Sequence, residues 1–276
     1  VYDDVHAGPG FDPEPVPDPG GALPRGVLTP ALRRIEPWLP TRAARGWFAL
    51  FLLLALVHLV AQLVVPGGWD VAHVTQWVLM PPLAAALWTA TAPPRPRLVQ
   101  LAVVALLCSW AGDTVPSFVP GDAAFPAMMG VFLCAQLVYV AAFWPYRDRS
   151  VLRRARGVVA LYAVVYLAVV VGASQGLPPG PAAVVMVVGL VVYGAALVTM
   201  AVLATGVDRL AAAGGAVFLV SDGLIGLAQG LPETVDALPP GGHAFLVMLT
   251  YVVAQTLLAA GVRRRSVAGQ RVGGRG

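Results

Sequence analysis

The chain has 276 residues, of which 58% are hydrophobic and only 12% charged, with a mean hydropathy of +0.76 and a formal net charge of +4. Soluble domains carry roughly 25% charged residues, so this chain cannot cover a water-facing surface, and lipid must be the solvent for most of it. The basic balance does not imply a nucleic-acid partner, because all 18 basic residues are arginines distributed by a membrane rule.

Residues 1–45 come first. Nine prolines lie between Pro9 and Pro40, among glycines and acids. Such a segment buries too little apolar surface to offset its ordering entropy, which predicts a disordered, proline-rich cytoplasmic tail. Residues 46–262 then supply apolar runs near 47–65, 71–91, 97–117, 125–145, 157–173, 182–205, 210–229 and 243–262. Each approaches the roughly 20 residues a helix needs to cross the hydrocarbon layer. Pro/Gly clusters such as Pro66-Gly67-Gly68, Pro93-Pro94 and Pro239-Pro240-Gly241-Gly242 separate many of them. Trp47, Trp69 and Trp144 near span ends read as interfacial anchors. Residues 263–276 form a basic cytoplasmic tail. The predicted class is all-α, an eight-helix transmembrane bundle with both termini inside.

The arginines support that count. They fall in the N-terminal segment, after the second, fourth and sixth spans, and in the C-terminal tail, while the intervening connections hold Asp70, Asp122, Glu233 and Asp236 and no arginine. Cytoplasmic connections concentrate basic residues, so the arginine side is predicted to face the cytoplasm of a cell membrane. Cys108 and Cys134 lie within apolar runs and read as small buried packing residues rather than a disulfide pair.

Two acids interrupt the apolar text. Asp113 on the third span and Asp222 on the seventh each cost roughly 2.5–3.5 kcal/mol on insertion scales unless they face protein or a water-filled cavity. The two spans run in one direction, which puts both acids at similar depth. Ser109 and Ser221 stand beside them, and Gln136, Tyr139, Tyr193 and Gln255 on the return spans fall at a comparable level. This predicts one buried polar site. The plainer reading of each acid is a structural hydrogen bond to a neighbouring helix. His58 and His73 read mainly as packed, satisfied histidines, and His243 as an outer-interface residue. No metal-ligand spacing, phosphate loop or nucleophile triad appears, so no metal or cofactor is expected. A faint echo joins Asp113 followed by Ala135-Gln136 to Asp222 followed by Ala254-Gln255.

Several motifs resemble the YhhN-type family of lysoplasmalogenases. They are Trp77-Val78-Leu79 before Pro82-Leu83, Ser109 leading to Gly112-Asp113, Gly130-Val131-Phe132-Leu133 through Tyr139, Gly215-Ala216-Val217-Phe218 with Ser221-Asp222, and Tyr251 with Ala254-Gln255. Pro81 and Gln136 depart from the lysine and histidine often found there in the family. The resemblance implies hydrolysis of the vinyl ether bond of a lysoplasmalogen, a lysophospholipid taken from the surrounding membrane lipids. Asp113 and Asp222 would be catalytic, and Gln136, Tyr139, Ser109, Ser221, Tyr193 and Gln255 would bind substrate. Paired intramembrane acids also suit a proton-coupled transporter, which broken helices would favour, and a non-catalytic lipid-binding protein is the third reading.

Overall fold

A computed structural model describes residues 38–64, 69–177, 179–233 and 237–273. The reading of the proline-rich tail as disordered falls largely on residues 1–37, outside this set. Among the described residues the chain is helical and contains no strand. The longer helices are α1 (Arg42–Val64), α2 (Trp69–Trp77), α3 (Met80–Thr89), α4 (Arg97–Thr114), α5 (Ala124–Phe143), α6 (Arg156–Ser174), α7 (Pro181–Val207), α8 (Arg209–Gly230) and α9 (Gly242–Gly273). Their bounds follow the apolar runs closely, but α9 continues past the expected end of the domain. Arg263, Arg264 and Arg265 are therefore part of its helix rather than of a separate tail.

Among the described residues, 7 segments are long and apolar enough to cross a membrane. The exception is the second predicted span, which is two short helices instead of one. Its cause is local. Pro81 and Pro82 lack N–H groups and clash with a preceding helical turn, so they are tolerated only where a helix begins. The chain accordingly stops at Trp77, tightens through Val78 N–H to Thr75 O (3.2 Å) and Leu79 N–H to Gln76 O (3.3 Å), and restarts at Met80.

The outside of the bundle is apolar. Leu53, Val164 and Val185 are 58%, 63% and 73% exposed, an arrangement that suits hydrocarbon as solvent. Cys134 belongs to this outer surface and Cys108 is half-buried, both as free thiols. They lie on helices whose outward faces are as apolar as their inward ones, so hydrophobicity alone did not reveal the burial expected of them.

With no hydrophobic force between helices in lipid, close packing depends on small residues. α8 shows this on two sides. A Cβ at Gly214 would lie 2.8 Å from Leu258 N of α9, and one at Gly215 would lie 2.8 Å from Ala201 Cα of α7. Gly261 of α9 likewise leaves room for Ala211 of α8. These contacts hold α8 between α7 and α9 and fix where Asp222 stands.

Candidate functional site

Asp113, next to last in α4, and Asp222, in the C-terminal half of α8, line one cavity of about 350 Å³. The C-terminal parts of α4, α6 and α8 and the N-terminal parts of α5, α7 and α9 supply much of its wall. It therefore occupies the end of the bundle opposite the arginine-bearing connections. Its apolar side includes Phe125, Met128, Met129 and Phe132 of α5.

Each acid accepts a hydrogen bond from a tyrosine on another helix. Tyr251 Oη of α9 donates to Asp113 Oδ2 at 2.8 Å. Tyr193 Oη of α7 donates to Asp222 Oδ2. Gln76, at the end of α2, also approaches Asp113, and the two carboxyl groups are near enough to interact electrostatically. Tyr251 is held by edge-on contacts of its ring with Phe132 and Phe218, at centroid distances of 6.0 and 5.8 Å. Asp113 is 7% exposed and lines the cavity.

The polar residues expected to accompany the acids divide into two layers. Tyr193 and Ser221 line the cavity with the acids, although the Ser221 hydroxyl is committed to Val247 O at 3.0 Å and ties α8 to α9. Ser109, Tyr139 and Gln255 lie behind the cavity wall. There Tyr139 Oη donates to Gln255 Oε1 at 2.9 Å, and Gln255 Nε2 donates to Ser109 Oγ at 3.0 Å. This buried chain joins α4, α5 and α9 one helical turn from the Asp113–Tyr251 pair. Gln136 is fully buried near Tyr193 and makes no hydrogen bond of normal geometry.

Sequence reading did not single out Gln62, Gln76, Tyr166, Gln229 and Tyr251 as site residues, yet all line the cavity, as does His243. Only Tyr251 left a usable signal, since Tyr251 and Gln255 stand four residues apart on one face of α9. His58 is a satisfied core residue. It is fully buried, and its Nδ1 lies 3.0 Å from Ala72 O and 2.9 Å from Thr75 Oγ1. Among the described residues, no cluster of histidine, cysteine and acids could hold a metal ion.

The arrangement provides two carboxyl groups facing one small space, each oriented by a phenol, with apolar wall beside them. Such a pair can deliver a proton to a substrate and receive one from water. The model of the YhhN family matches residues 71–262, more than two thirds of the chain and the whole of the two-acid constellation. No curated protein matches the chain, and no solved structure does.

Proposed function

The chain belongs to the YhhN family, and from that membership and the cavity we propose that it is a membrane-embedded hydrolase that cleaves the vinyl ether bond of a lysoplasmalogen or related ether lysolipid. The products are a fatty aldehyde and a glycerophospho-base. The observation that carries the reading is the shared cavity of Asp113 and Asp222.

In the proposed reaction, one protonated carboxyl group gives its proton to the vinyl carbon farther from oxygen. The π electrons form the new C–H bond, and the ether oxygen stabilises the cation left on the adjacent carbon. Water adds to that carbon and yields its proton to the ionised carboxylate. The resulting hemiacetal collapses: its hydroxyl proton passes to the carboxylate ionised in the first step, the freed electron pair forms the aldehyde C=O as the ether C–O bond breaks, and the departing glycerol oxygen takes the proton held by the other carboxyl group. Asp113 and Asp222 share these roles, with Tyr251 and Tyr193 orienting them. The alkenyl chain lies along the methionine and phenylalanine wall of α5. In this reading α2 and α3 together make one crossing, so the chain crosses the cell membrane eight times with both termini in the cytoplasm.

Purified protein in detergent is expected to release aldehyde from a lysoplasmalogen. Asp113→Asn and Asp222→Asn should each lower that rate at least about a hundredfold, a loss typical of removing an acid–base group, while thermal unfolding stays close to that of the unsubstituted protein. Unchanged turnover in both variants would end the carboxylate mechanism.

One observation favours a second reading. The second span is broken, and Gln76 at the break approaches Asp113, which is how many transporters build a midplane site. Proton-coupled flux in liposomes, with no aldehyde release, is the outcome that selects it. Lipid binding with neither flux nor turnover selects a non-catalytic protein.

A further inference from the structure

We propose that the cavity has a head-group subsite that reads hydrogen-bond donors, a primary ammonium or a hydroxyl, and that Gln62 of α1 sets this specificity. The inference rests on the reading of the cavity as a lipid site. It starts from His58, one turn before Gln62. His58 Nδ1 faces Ala72 O at 3.0 Å, and a carbonyl can only accept, so the ring proton sits on Nδ1. Nε2 of the neutral ring is then an acceptor. The side-chain nitrogen of Gln62 lies 3.4 Å from it, and the opposite amide orientation would set two acceptors against each other. Gln62 lines the cavity, and with its amide nitrogen committed to His58 its Oε1, a lone-pair group, is the group left to meet a ligand.

A second residue repeats the logic. His243 of α9, which also lines the cavity, directs its Nε2 at Leu224 O at 3.0 Å, so the proton it carries there leaves Nδ1 as the ring nitrogen able to accept. Among the described residues, no arginine lines the cavity. Among the described residues, the connections at that end of the bundle carry Asp122 and Glu233 and no arginine. Acceptors and acids without guanidinium groups match a donor-bearing head. They give a quaternary ammonium nothing to bond through hydrogen, and they disfavour a net anion.

The test is binding, so that it does not depend on turnover. Saturated 1-alkyl lysolipids with phosphoethanolamine or phosphocholine heads, and 1-alkylglycerol, are titrated into the purified protein in detergent. The phosphoethanolamine lipid is expected to bind at least about tenfold more tightly than the phosphocholine lipid, the scale of one hydrogen bond. Gln62→Leu should bring the two within about twofold, and His58→Leu should weaken the preference through Gln62. Tight binding of 1-alkylglycerol that Gln62→Leu abolishes would assign the hydroxyl as the donor read; its weak binding would assign the ammonium. Equal binding of the two phospholipids to the native protein, or a preference that survives Gln62→Leu, overturns the subsite and leaves the hydrolase reading standing. A preserved preference with no aldehyde release from any vinyl ether overturns the hydrolase alone. Failure of every lipid to bind overturns both.

Discussion

Tyr251 and Gln255 lie one turn apart on α9 and should fail in different ways. The Tyr251 hydroxyl bonds a cavity acid, whereas Gln255 bridges two buried hydroxyl groups behind the wall. Tyr251→Phe keeps the ring and its aromatic contacts and removes only the donor to Asp113. Aldehyde release is expected to fall roughly tenfold to a hundredfold, the scale of one hydrogen bond to a charged group, with the thermal midpoint little changed. Gln255→Leu leaves Tyr139 Oη and Ser109 Oγ buried without that partner. It should lower stability by about 1–3 kcal/mol, read as an earlier unfolding transition in detergent. If Gln255→Leu lost activity and kept its stability, Gln255 would belong to the cavity chemistry after all. The acids were legible in the sequence because a carboxylate inside an apolar run has no bland solvent-facing explanation. Gln62, Gln76 and Gln229 were not, because a glutamine near a span end looks like any interfacial residue. Their role depends on three helix ends converging, and sequence spacing within one helix carries no information about that.

At the scale of elements, the apolar runs and their Pro/Gly punctuation located the helices, while the interior of the second run was misleading. Its length suggests one crossing, but two adjacent prolines cannot sit in mid-helix, and the backbone breaks just before them, between the half that carries His73, Thr75 and Gln76 and the more apolar half that follows. The start of α8 shows the opposite case, a single polar residue whose role is local and readable. Asp208 precedes the helix, accepts from Leu210 N–H at 2.8 Å, and stands 3.6 Å from Arg264 of α9. Asp208→Ala removes the cap and the ion pair together. The expected loss is about 1 kcal/mol, mainly from the cap, because a partly exposed ion pair adds little. Aldehyde release per folded molecule should be unaffected, since Asp208 lies at the far end of α8 from Asp222. Loss of activity at unchanged stability would show that this end of α8 is coupled to the cavity.

Over the whole molecule, the restriction of arginine to alternate connections implies an orientation, and the cavity gives that orientation a consequence. Asp113 has Gln76 of the preceding span beside it, as Asp222 has Tyr193. The two halves of the bundle thus each bring an acid and a polar escort to the arginine-free end. If cytoplasmic arginines hold the other end inside, the cavity lies in the outer half of the membrane and its substrate arrives from the outer leaflet. Cysteine labelling in intact cells tests this. After Cys108→Ala and Cys134→Ala, a membrane-impermeant maleimide should label Asp122→Cys, in a connection at the cavity end. It should label Asp148→Cys, in an arginine-bearing connection, only once the membrane has been opened. The reverse pattern would place the arginines outside and the cavity toward the cytoplasmic leaflet. The carboxylate pair would survive that result, because both acids share one cavity whichever way the bundle faces, but the leaflet supplying the lipid would change.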